Sequence, residues 1–417
     1  MDKTGSSGRW FQLTLGVIVM MTISSPQYVW TLFVKSFQTT TGSTLPAIQI
    51  TFSLLIVLQT WLSPAQGFLV ERYSPRALIA VGAAMSGLGW ITSAQATSLT
   101  GLYLTYGLLC GIGTGIVYIG IVGLMARWFP DRRGFAIGMV AAGYGMGALL
   151  TTFPIDSMMK AQGYQSTLVT FGIILGLVGV AAALGLRAPR LGEVTAKPAQ
   201  TVVSGRDTEP AEMLKTPIFW LMFAMMTMMS TGGLMVTSNF ANFAKEFGVA
   251  DIAVLGMAAV PLALTVDRIL NGFTRPFFGW VSDRIGRENT MGLAFLFEAA
   301  AITLLLVFRS NAAAFVLLSG LVFFGWGEIF SLFPSTLTDT FGTRNATTNY
   351  GFLYMAQGVG SVLGGPVAAA LHDAAGSWIP VFAVAIGMDV LTGLLALLAL
   401  KAMRRGLVGM VRPAVAV

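Results

Sequence analysis

Long apolar stretches without a charged side chain recur along the whole sequence. Residues 10–34 and 36–70 contain no Asp, Glu, Lys or Arg, and neither does 77–126. A helix needs about 20 mostly apolar residues to cross the hydrocarbon core of a bilayer. Residues 77–126 are therefore long enough for two such helices, and the pattern predicts an all-α membrane protein.

The same criterion divides the chain into twelve predicted transmembrane helices. They lie at 10–34, 46–70, 77–96, 100–126, 134–158, 166–186, 217–243, 252–280, 289–308, 312–338, 346–371 and 378–400. The composition agrees, because 55% of the 417 residues are apolar and only 10% are charged, whereas soluble domains carry roughly 25% charged residues. A soluble enzyme is thereby excluded.

The positively charged residues predict the orientation of these helices. If the N-terminus is cytoplasmic, most of the 25 Lys and Arg residues fall in cytoplasmic loops, as the positive-inside rule requires. We therefore expect both termini in the cytoplasm and the protein in the plasma (inner) membrane. The net charge of +7 then reflects topology in the lipid bilayer, and no nucleic acid partner is expected.

One long polar stretch separates the first six predicted helices from the last six. It is rich in proline and glycine, which is typical of a flexible linker. The expected organisation is an N-terminal six-helix bundle at 1–187, a cytoplasmic linker loop at 188–216 and a C-terminal six-helix bundle at 217–417.

An internal repeat supports this division. Residues 67–76, at the end of the second predicted helix, match residues 279–287 at the end of the eighth. A second pair of segments, beginning at Gly134 and Gly351, recurs at almost the same separation. The agreement of the two separations indicates a duplicated six-helix unit.

The second copy, residues 279–287, has the form Gly-x-x-x-Asp-Arg-x-Gly-Arg, and the first copy, residues 67–76, begins Gly-x-x-x-Glu-Arg. This pattern resembles the cytoplasmic signature of the major facilitator superfamily. The resemblance implies a secondary transporter whose two pseudo-symmetric halves rock about a binding site at the bilayer midplane. An acid with neighbouring arginines at a helix end can lock two halves together on one side, although a charge cluster at the membrane surface is the simpler alternative. The expected cytoplasmic gate consists of Glu71, Arg72, Asp283, Arg284 and Arg287.

A single arginine carries most of the argument for the substrate. Arg275 lies in the eighth predicted helix, and an arginine at membrane depth costs several kcal/mol unless it is paired or faces water. Asn271 is four residues away, about 40 degrees round the helix, and Arg268 lies close to the same face. A guanidinium suits a carboxylate because its planar fork makes two parallel hydrogen bonds. The alternative is a buried ion pair between helices.

Other polar and aromatic residues of the apolar spans are candidate substrate contacts. Each aromatic side chain could instead be a packing residue or an interface anchor. With Arg275 and Asn271, the expected substrate-binding residues are Gln27, Tyr28, Tyr118, Tyr144, Trp326, Tyr354 and Gln357.

Four further segments resemble the oxalate/formate antiporter family, which is similar to the monocarboxylate transporters. They are residues 127–134, 141–145, 275–279 and 332–336. The resemblance implies that Arg275 binds the substrate carboxylate, with Tyr28, Tyr118, Tyr144 and Trp326 in an aromatic cage. It also reveals two departures: Asn271 stands where monocarboxylate transporters have an acid, and Gln357 where the oxalate carrier has a lysine.

The missing second cation makes a dianion such as oxalate a poor substrate, because one negative charge would lie uncompensated in a low-dielectric cavity. A monocarboxylate such as lactate suits Arg275 and Gln357 better.

Asp267 and Glu328 are the candidates for proton coupling, since a buried acid with a raised proton affinity is what a proton-coupled carrier needs. Obligatory exchange of one anion for another would avoid an empty, unpaired Arg275 equally well. The sequence leaves both open, so the expected second partner is a proton or a counter-transported anion.

Cysteine and histidine usage excludes several other functions. Cys110 and His372 are the only residues of their types, so no metal site, no cofactor and no intramembrane enzyme are expected. A carboxylate sensor is a less favoured alternative, because the cytoplasmic segments are too short for a catalytic or receiver domain. Nothing in the sequence indicates an oligomeric state.

Overall fold

The computed structural model describes residues 3–190, 192–194 and 207–411, and nearly all of them are helical. Residues 191 and 195–206 of the expected 188–216 linker lie outside the described residues, as do 412–417. Within the described part of the linker, a short helix at Pro210–Met213 precedes the first long helix of the C-terminal half.

The helices of the first half follow one another with short connections. They are α1 (Lys3–Thr22), α2 (Ser25–Tyr28), α3 (Trp30–Thr41), α4 (Leu45–Trp61), α5 (Ser63–Arg72), α6 (Pro75–Ser93), α7 (Leu99–Leu102), π1 (Tyr103–Leu109), α8 (Cys110–Trp128) and α9 (Arg133–Leu184). Prolines stand in the first turn of α4, α5 and α6, where the missing N–H costs no helical hydrogen bond.

The second half adds a small hairpin to the same pattern. Its elements are α10 (Pro210–Met213), α11 (Pro217–Glu246), β1 (Ala253–Val254), β2 (Met257–Ala258), α12 (Ala259–Ile285), α13 (Arg287–Val307), α14 (Ala312–Trp326), α15 (Ile329–Phe341), α16 (Ala346–Val362), π2 (Leu363–Val367), α17 (Ala368–Ala375), α18 (Trp378–Leu395), π3 (Ala396–Leu400) and α19 (Lys401–Val411). Side chains cap α11 and α14, since the Thr216 hydroxyl accepts from Phe219 N and the Asn311 carboxamide from Ala314 N.

Two of the differences between the observed and the predicted helices lie at the eighth and the first predicted helix. The eighth helix begins at Ala259 rather than 252, because β1 and β2 pair antiparallel across a turn in which Leu255 and Gly256 have φ angles of 51° and 78°. The first apolar stretch is not one straight helix, since it is interrupted after Thr22. A run of apolar residues does not by itself indicate where a helix is interrupted by a turn.

Length and composition alone identify fewer than twelve membrane spans. Within the described residues, six helical segments are long and apolar enough to cross a bilayer, and two strongly bent helix pairs near the N-terminus raise the number to eight. One of the six is the 52-residue α9, whose regular geometry breaks at Gly163 (φ 82°, ψ 167°). That break separates the predicted fifth and sixth helices.

The chain forms two compact units that exchange two short segments of sequence. Unit 1 comprises Met1–Pro130, Met139–Ala196 and Asn345–Tyr354, and unit 2 comprises Asp131–Gly138, Lys197–Arg344 and Met355–Val417, as far as these ranges are described. The start of α9 thus belongs to unit 2, and the start of α16 belongs to unit 1.

Each unit has its own aromatic core. In unit 1 the Trp30 ring lies 4.8 Å from Tyr106, whose hydroxyl donates to Pro26 O at 2.7 Å. In unit 2 the Phe243 ring lies 5.0 Å from Phe382. Buried aromatic pairs of this kind add to the free energy gained from apolar burial.

Candidate functional site

Arg275 lies on α12 in the interior of unit 2, where only 2% of its surface is exposed. Its Nη2 donates to Asn271 Oδ1 at 2.8 Å, one helical turn earlier. Its guanidinium carbon lies 4.5 Å from the centre of the Phe330 ring, a cation–π distance. The buried cation is thus oriented by a neutral amide and an aromatic face.

The side-chain amide of Asn271 also carries an NH2 group, Nδ2. Its Nδ2 is buried and donates to no other group in the described part of the chain. Gln357, on α16, has an Oε1 that is likewise buried and accepts no hydrogen bond from the described residues. Buried polar atoms normally find partners, so both amides are suited to meeting a ligand. Arg268, predicted on the same helix face, is exposed.

The indole ring of Trp326 is held in place by a hydrogen bond and by close packing. Its indole N–H donates to Met229 O at 2.9 Å. Its ring lies against Gly233, where an added Cβ would come within about 2 Å of ring atoms. Trp326 therefore packs α14 against α11.

The predicted tyrosines and one predicted glutamine form a separate cluster inside unit 1. Tyr144 donates a short hydrogen bond to Gln27 Oε1. Tyr118 and Tyr354 stack at 4.9 Å with their planes 14° apart, and Tyr144 meets Tyr118 edge-on at 5.3 Å. Tyr28 contacts Tyr144 at 5.6 Å.

Sequence reasoning missed the residue at the centre of this cluster. Gln59 of α4 is 2% exposed, and its Nε2 donates to the hydroxyls of Tyr144 and Tyr354, each at 3.2 Å. The sequence feature that could have identified Gln59 is the presence of a glutamine in an apolar stretch without charged residues. Phe330 was missed in the same way, because nothing in the sequence places it against Arg275.

The two candidates for proton coupling lie in unit 2. Asp267, on α12, is 3% exposed and packs beside Gly320. Glu328, between α14 and α15, is fully buried, and neither of its carboxyl oxygens has a hydrogen-bond partner among the described residues. Glu328 interacts electrostatically with Arg275 and Asp389, so a carboxyl group lies near the buried cation.

Two more buried acids belong to this neighbourhood. Glu298 and Asp389 are both 0% exposed, and Glu298 interacts electrostatically with Asp389 and Glu328. Like-charged carboxylates cannot all remain ionised in a dry interior. This arrangement can hold protons. No group of three or more His, Cys, Asp or Glu in the described chain is arranged to hold a metal ion.

The acid of the first repeated motif caps a helix. The carboxylate of Glu71, at the end of α5, accepts from Thr347 N at 2.7 Å and Thr348 N at 3.3 Å, and from the Thr348 hydroxyl through a short bond. Arg127 Nη2 lies 3.4 Å from the same carboxylate. Glu71 therefore satisfies the free N–H groups at the start of α16 and is favoured by the helix dipole.

The acid of the second motif makes the equivalent contact in unit 2. Asp283, near the end of α12, accepts from Gly134 N at 3.0 Å and Phe135 N at 2.9 Å, at the start of α9. Arg287 Nη1 lies 2.6 Å from the same carboxylate. The sequence repeat thus corresponds to a repeated helix cap, and each acid caps a helix of the other sequence half.

The arginines beside the two acids have a different environment. The Arg284 guanidinium lies 3.6 Å from the centre of the Trp280 ring, and that of Arg72 lies 6.0 Å from Phe68. Each stacks on the aromatic side chain one turn earlier. Of the five predicted gate residues, Glu71, Asp283 and Arg287 take part in the caps, and Arg72 and Arg284 do not.

An acid that the motif did not include extends the network of unit 2. Asp339, at the end of α15, is 1% exposed and accepts from Arg133 Nη1 at 2.5 Å and Arg287 Nε at 2.9 Å. Arg404 of α19 pairs with Glu288 at the start of α13. Asp339 belongs to no repeated motif, so the sequence did not predict this buried network.

Known proteins are similar to this one over nearly the whole chain. The family model described as Major Facilitator Superfamily matches residues 13–266 and 255–409. The oxalate:formate antiporter of Oxalobacter formigenes is 36% identical over 375 residues, covering 89% of this chain and 87% of that protein. Monocarboxylate transporter 13 of Bos taurus is 26% identical over 353 residues, covering 84% and 79%.

Solved structures give the same result for the fold. The proton:xylose symporter XylE, bound to 6-bromo-6-deoxy-D-glucose, superposes with a TM-score of 0.75 at 14% identity and covers 94% of this chain and 95% of its own. The transporter FucP in its outward conformation superposes with a TM-score of 0.68 at 15% identity, covering 95% and 99%. At these identities the likeness concerns the fold alone.

Proposed function

Because the chain belongs to the major facilitator superfamily, we propose that it carries a small organic monocarboxylate, such as lactate, across the membrane by alternating access. Arg275 is the proposed anchor for the carboxylate. The family confirms the predicted fold of twelve transmembrane helices in two pseudo-symmetric halves. The protein is a multi-pass membrane transporter and not an enzyme.

One observation carries the substrate assignment. The hydrogen-bonding partner of the buried Arg275 guanidinium on its own helix is the neutral amide of Asn271, at 2.8 Å. A neutral acceptor orients the guanidinium without cancelling its charge, so a substrate carboxylate can still bind through charge-assisted hydrogen bonds. Asn271 Nδ2 and Gln357 Oε1 are proposed to orient the remainder of the substrate.

The polar groups around Arg275 favour one negative charge on the substrate. Gln357 offers an amide and no cation, so a second carboxylate would lie in a low-dielectric region without a counter-charge. The relatives are an oxalate:formate antiporter and a monocarboxylate transporter by name, which supports a carboxylate in general. Gln27, Tyr28, Tyr118, Tyr144, Trp326 and Tyr354 remain proposed substrate contacts.

Proton coupling is the proposed driving mechanism. Glu328 interacts electrostatically with Arg275, so a carboxylate that binds Arg275 would displace this interaction and favour uptake of a proton by Glu328. Asp267, on the same helix as Arg275, is the second proposed proton carrier. The helix caps of Glu71 and Asp283 are proposed to belong to the cytoplasmic gate, with Arg287, Arg72 and Arg284 beside them.

Anion exchange is the second candidate function. The 36% identity to an oxalate:formate antiporter favours it. The proposed location is the cell membrane with both termini in the cytoplasm, on the positive-inside argument.

Transport by purified protein in liposomes distinguishes these proposals. Labelled lactate, formate, acetate and oxalate are offered with and without an inward proton gradient, to vesicles that are empty or preloaded with anion. Gradient-driven lactate uptake into empty vesicles supports symport, and uptake only into preloaded vesicles supports exchange.

Two variants of α12 make the test specific for the anchor. Arg275→Gln removes the buried cation and is expected to abolish uptake of every carboxylate that the parent transports. Arg268→Gln removes an exposed cation from the same helix and is expected to transport like the parent. Equal activity of parent and Arg275→Gln would refute the assignment of the anchor.

A further inference from the structure

The one histidine of the chain joins three helices at their ends. His372, on α17, places Nε2 2.9 Å from Glu246 Oε2 at the end of α11. Its Nδ1 lies 3.2 Å from Asp373 Oδ1, and its ring stacks on Trp378 of α18 at 4.5 Å.

The carboxylate of Glu246 completes the connection. Its Oε1 accepts from the Ser377 hydroxyl at 3.1 Å and from Trp378 N at 3.0 Å, at the first turn of α18. Its Oε2 faces His372. We call these contacts of His372, Glu246, Asp373, Ser377 and Trp378 the clasp.

The clasp holds a segment that follows an irregular stretch of helix. α17 is separated from α16 by π2, which contains Pro366, and π-helical turns and prolines are common causes of bends. Gly364 of π2 packs closely on α11, where an added Cβ would lie 2.5 Å from Thr231 O. The clasp joins α17 to the end of α11 and to the first turn of α18.

We propose that the clasp is a pH-sensitive latch on α17, closed when His372 is protonated and loosened when it is neutral. A protonated imidazole donates from both ring nitrogens and so bonds both Glu246 and Asp373. A neutral imidazole carries one N–H, so a lone pair must then face one of the two carboxylates. Deprotonation therefore converts one attraction into a repulsion and removes the charge that stacks on Trp378.

The charges around His372 set the direction of the response. The hydrogen bond to Glu246, followed by that to Asp373, raises the pKa of His372 above its ordinary value of 6.5. The latch is therefore complete below about pH 6.5, the value for an unfolded chain, and is lost as the pH rises through the raised pKa. Glu246 on α11 and Asp373 on α17 are the charged groups that face the ring, while α18 contributes the uncharged Ser377 and Trp378.

The position of the latch gives it a connection to transport. α17 continues the helix that carries Tyr354 and Gln357 on α16, and it lies on the membrane face that the positive-inside rule places outside the cell. A lower external pH would then fix the outer end of this helix. The latch does not depend on the identity of the substrate.

Imidazole NMR of the full-length protein in nanodiscs tests the latch directly, because the single histidine gives one ring signal without any substitution. We expect His372 to titrate above 6.5 in the parent and closer to 6.5 in Glu246→Gln. Titration of the parent at its ordinary value, or an unchanged titration in Glu246→Gln, would overturn the proposal.

Hydrogen exchange of the same samples reports the mechanical consequence. After correction for intrinsic exchange rates, we expect protection of peptides covering 363–378 to fall about two- to fivefold as the pH rises through the His372 titration, as for a partly exposed ion pair. His372→Gln should show the weaker protection at every pH, and Asp251→Asn, an exposed acid outside the clasp, should follow the parent. A parent profile without a pH step, or the same step in His372→Gln, would contradict the latch. Neither measurement requires transport, so failure of the latch and failure of the substrate assignment are distinguishable.

Discussion

Asn271 accepts a hydrogen bond from Arg275 across one turn of α12, with 2.8 Å between Oδ1 and Nη2. The pair holds a buried guanidinium in place with an uncharged acceptor. This hydrogen bond does not itself neutralise the Arg275 charge, so if Arg275 anchors the substrate as proposed, the residue at 271 should affect how strongly Arg275 binds the carboxylate.

Replacing Asn271 with Asp should weaken substrate binding. The new carboxylate would form an ion pair with Arg275 and compete with the substrate for the same N–H groups. We expect KM for the transported carboxylate to rise at least about tenfold at neutral pH, which corresponds to about 1.4 kcal/mol. Concentration-dependent uptake into proteoliposomes measures this change.

Acid should reverse the defect, because protonation of the introduced carboxylate restores a neutral neighbour for Arg275. The parent, measured at each pH, is the control for other titrating groups. An Asn271→Asp variant with the parent KM at neutral pH would argue against the binding of substrate by Arg275.

Replacing Gln59 with Leu should disturb the tyrosine cluster of unit 1. The substitution removes the Nε2 donor that bonds both Tyr144 and Tyr354, and each lost hydrogen bond is worth about 1 kcal/mol. We expect KM to rise about three- to tenfold, with a smaller change in maximal rate. The measurement is uptake kinetics at fixed protein density in the vesicles.

Gln49 provides a matched control on the same helix. It accepts from Trp30 Nε1 at 3.2 Å but is exposed, so Gln49→Leu should leave KM unchanged. Equal effects of the two substitutions would indicate that the Gln59 variant acts through general damage to α4.

Some features of this protein are visible in short stretches of sequence, and others depend on contacts between distant residues. Apolar runs, the repeated motif and Arg275 are local features, so they were enough to predict the helices, the duplicated halves and the buried cation. Gln59 and Asp339 are important because of what they contact on distant helices, and no local pattern encodes those contacts. The hairpin before α12 was missed because its residues are as apolar as those of a helix.

The repeated motif likewise predicted only part of the contacts that its residues make. Its periodicity predicted that Glu71 and Asp283 are equivalent, and both cap the start of a helix from the other sequence half. Adjacent positions gave no indication that Arg72 and Arg284 stack on Phe68 and Trp280 instead. Proximity in sequence is a poor guide to side-chain direction on a helix, where neighbours lie about 100 degrees apart.

Replacing Asp339 with Asn should destabilise unit 2 strongly. Asp339 is buried and forms ion pairs with Arg133 and Arg287, and the uncharged amide would leave two buried guanidinium groups without that counter-charge. The expected loss is about 3–5 kcal/mol, typical of breaking a buried pair by removing one partner. Thermal unfolding in detergent measures the change as a lower Tm.

An exposed ion pair supplies the control for Asp339. Asp156 pairs with Lys160 at 2.6 Å, but the lysine side chain is 74% exposed, so Asp156→Asn should change the free energy of unfolding by less than about 1 kcal/mol. A similar loss of stability in both variants would mean that burial of the Asp339 network contributes nothing specific.

The close contact of Gly134 with Gly279 leads to the last prediction. A Cβ added at Gly279 would lie 2.1 Å from Gly134 O, and one added at Gly134 would lie 2.3 Å from Gly279 O. Because both obstacles are backbone atoms, a methyl group can fit only if the start of α9 moves away from α12. Gly279→Ala should therefore cost about 1–3 kcal/mol of stability, as overpacking does elsewhere, and Asp283 should lose its bonds to Gly134 N and Phe135 N.

Gly387 is the matched control, because an added Cβ there meets nothing within 4 Å and Ala is favoured over Gly in a helix by about 1 kcal/mol. We expect Gly387→Ala to be neutral or stabilising in thermal unfolding and normal in uptake, and Gly279→Ala to be impaired in both. The double variant of Gly134→Ala with Gly279→Ala should lose less than the sum of the two single losses, since the first substitution already separates the helices. Full additivity would mean that the two glycines act at independent contacts, and a Gly279→Ala protein as stable as the parent would mean that α9 and α12 do not approach this closely.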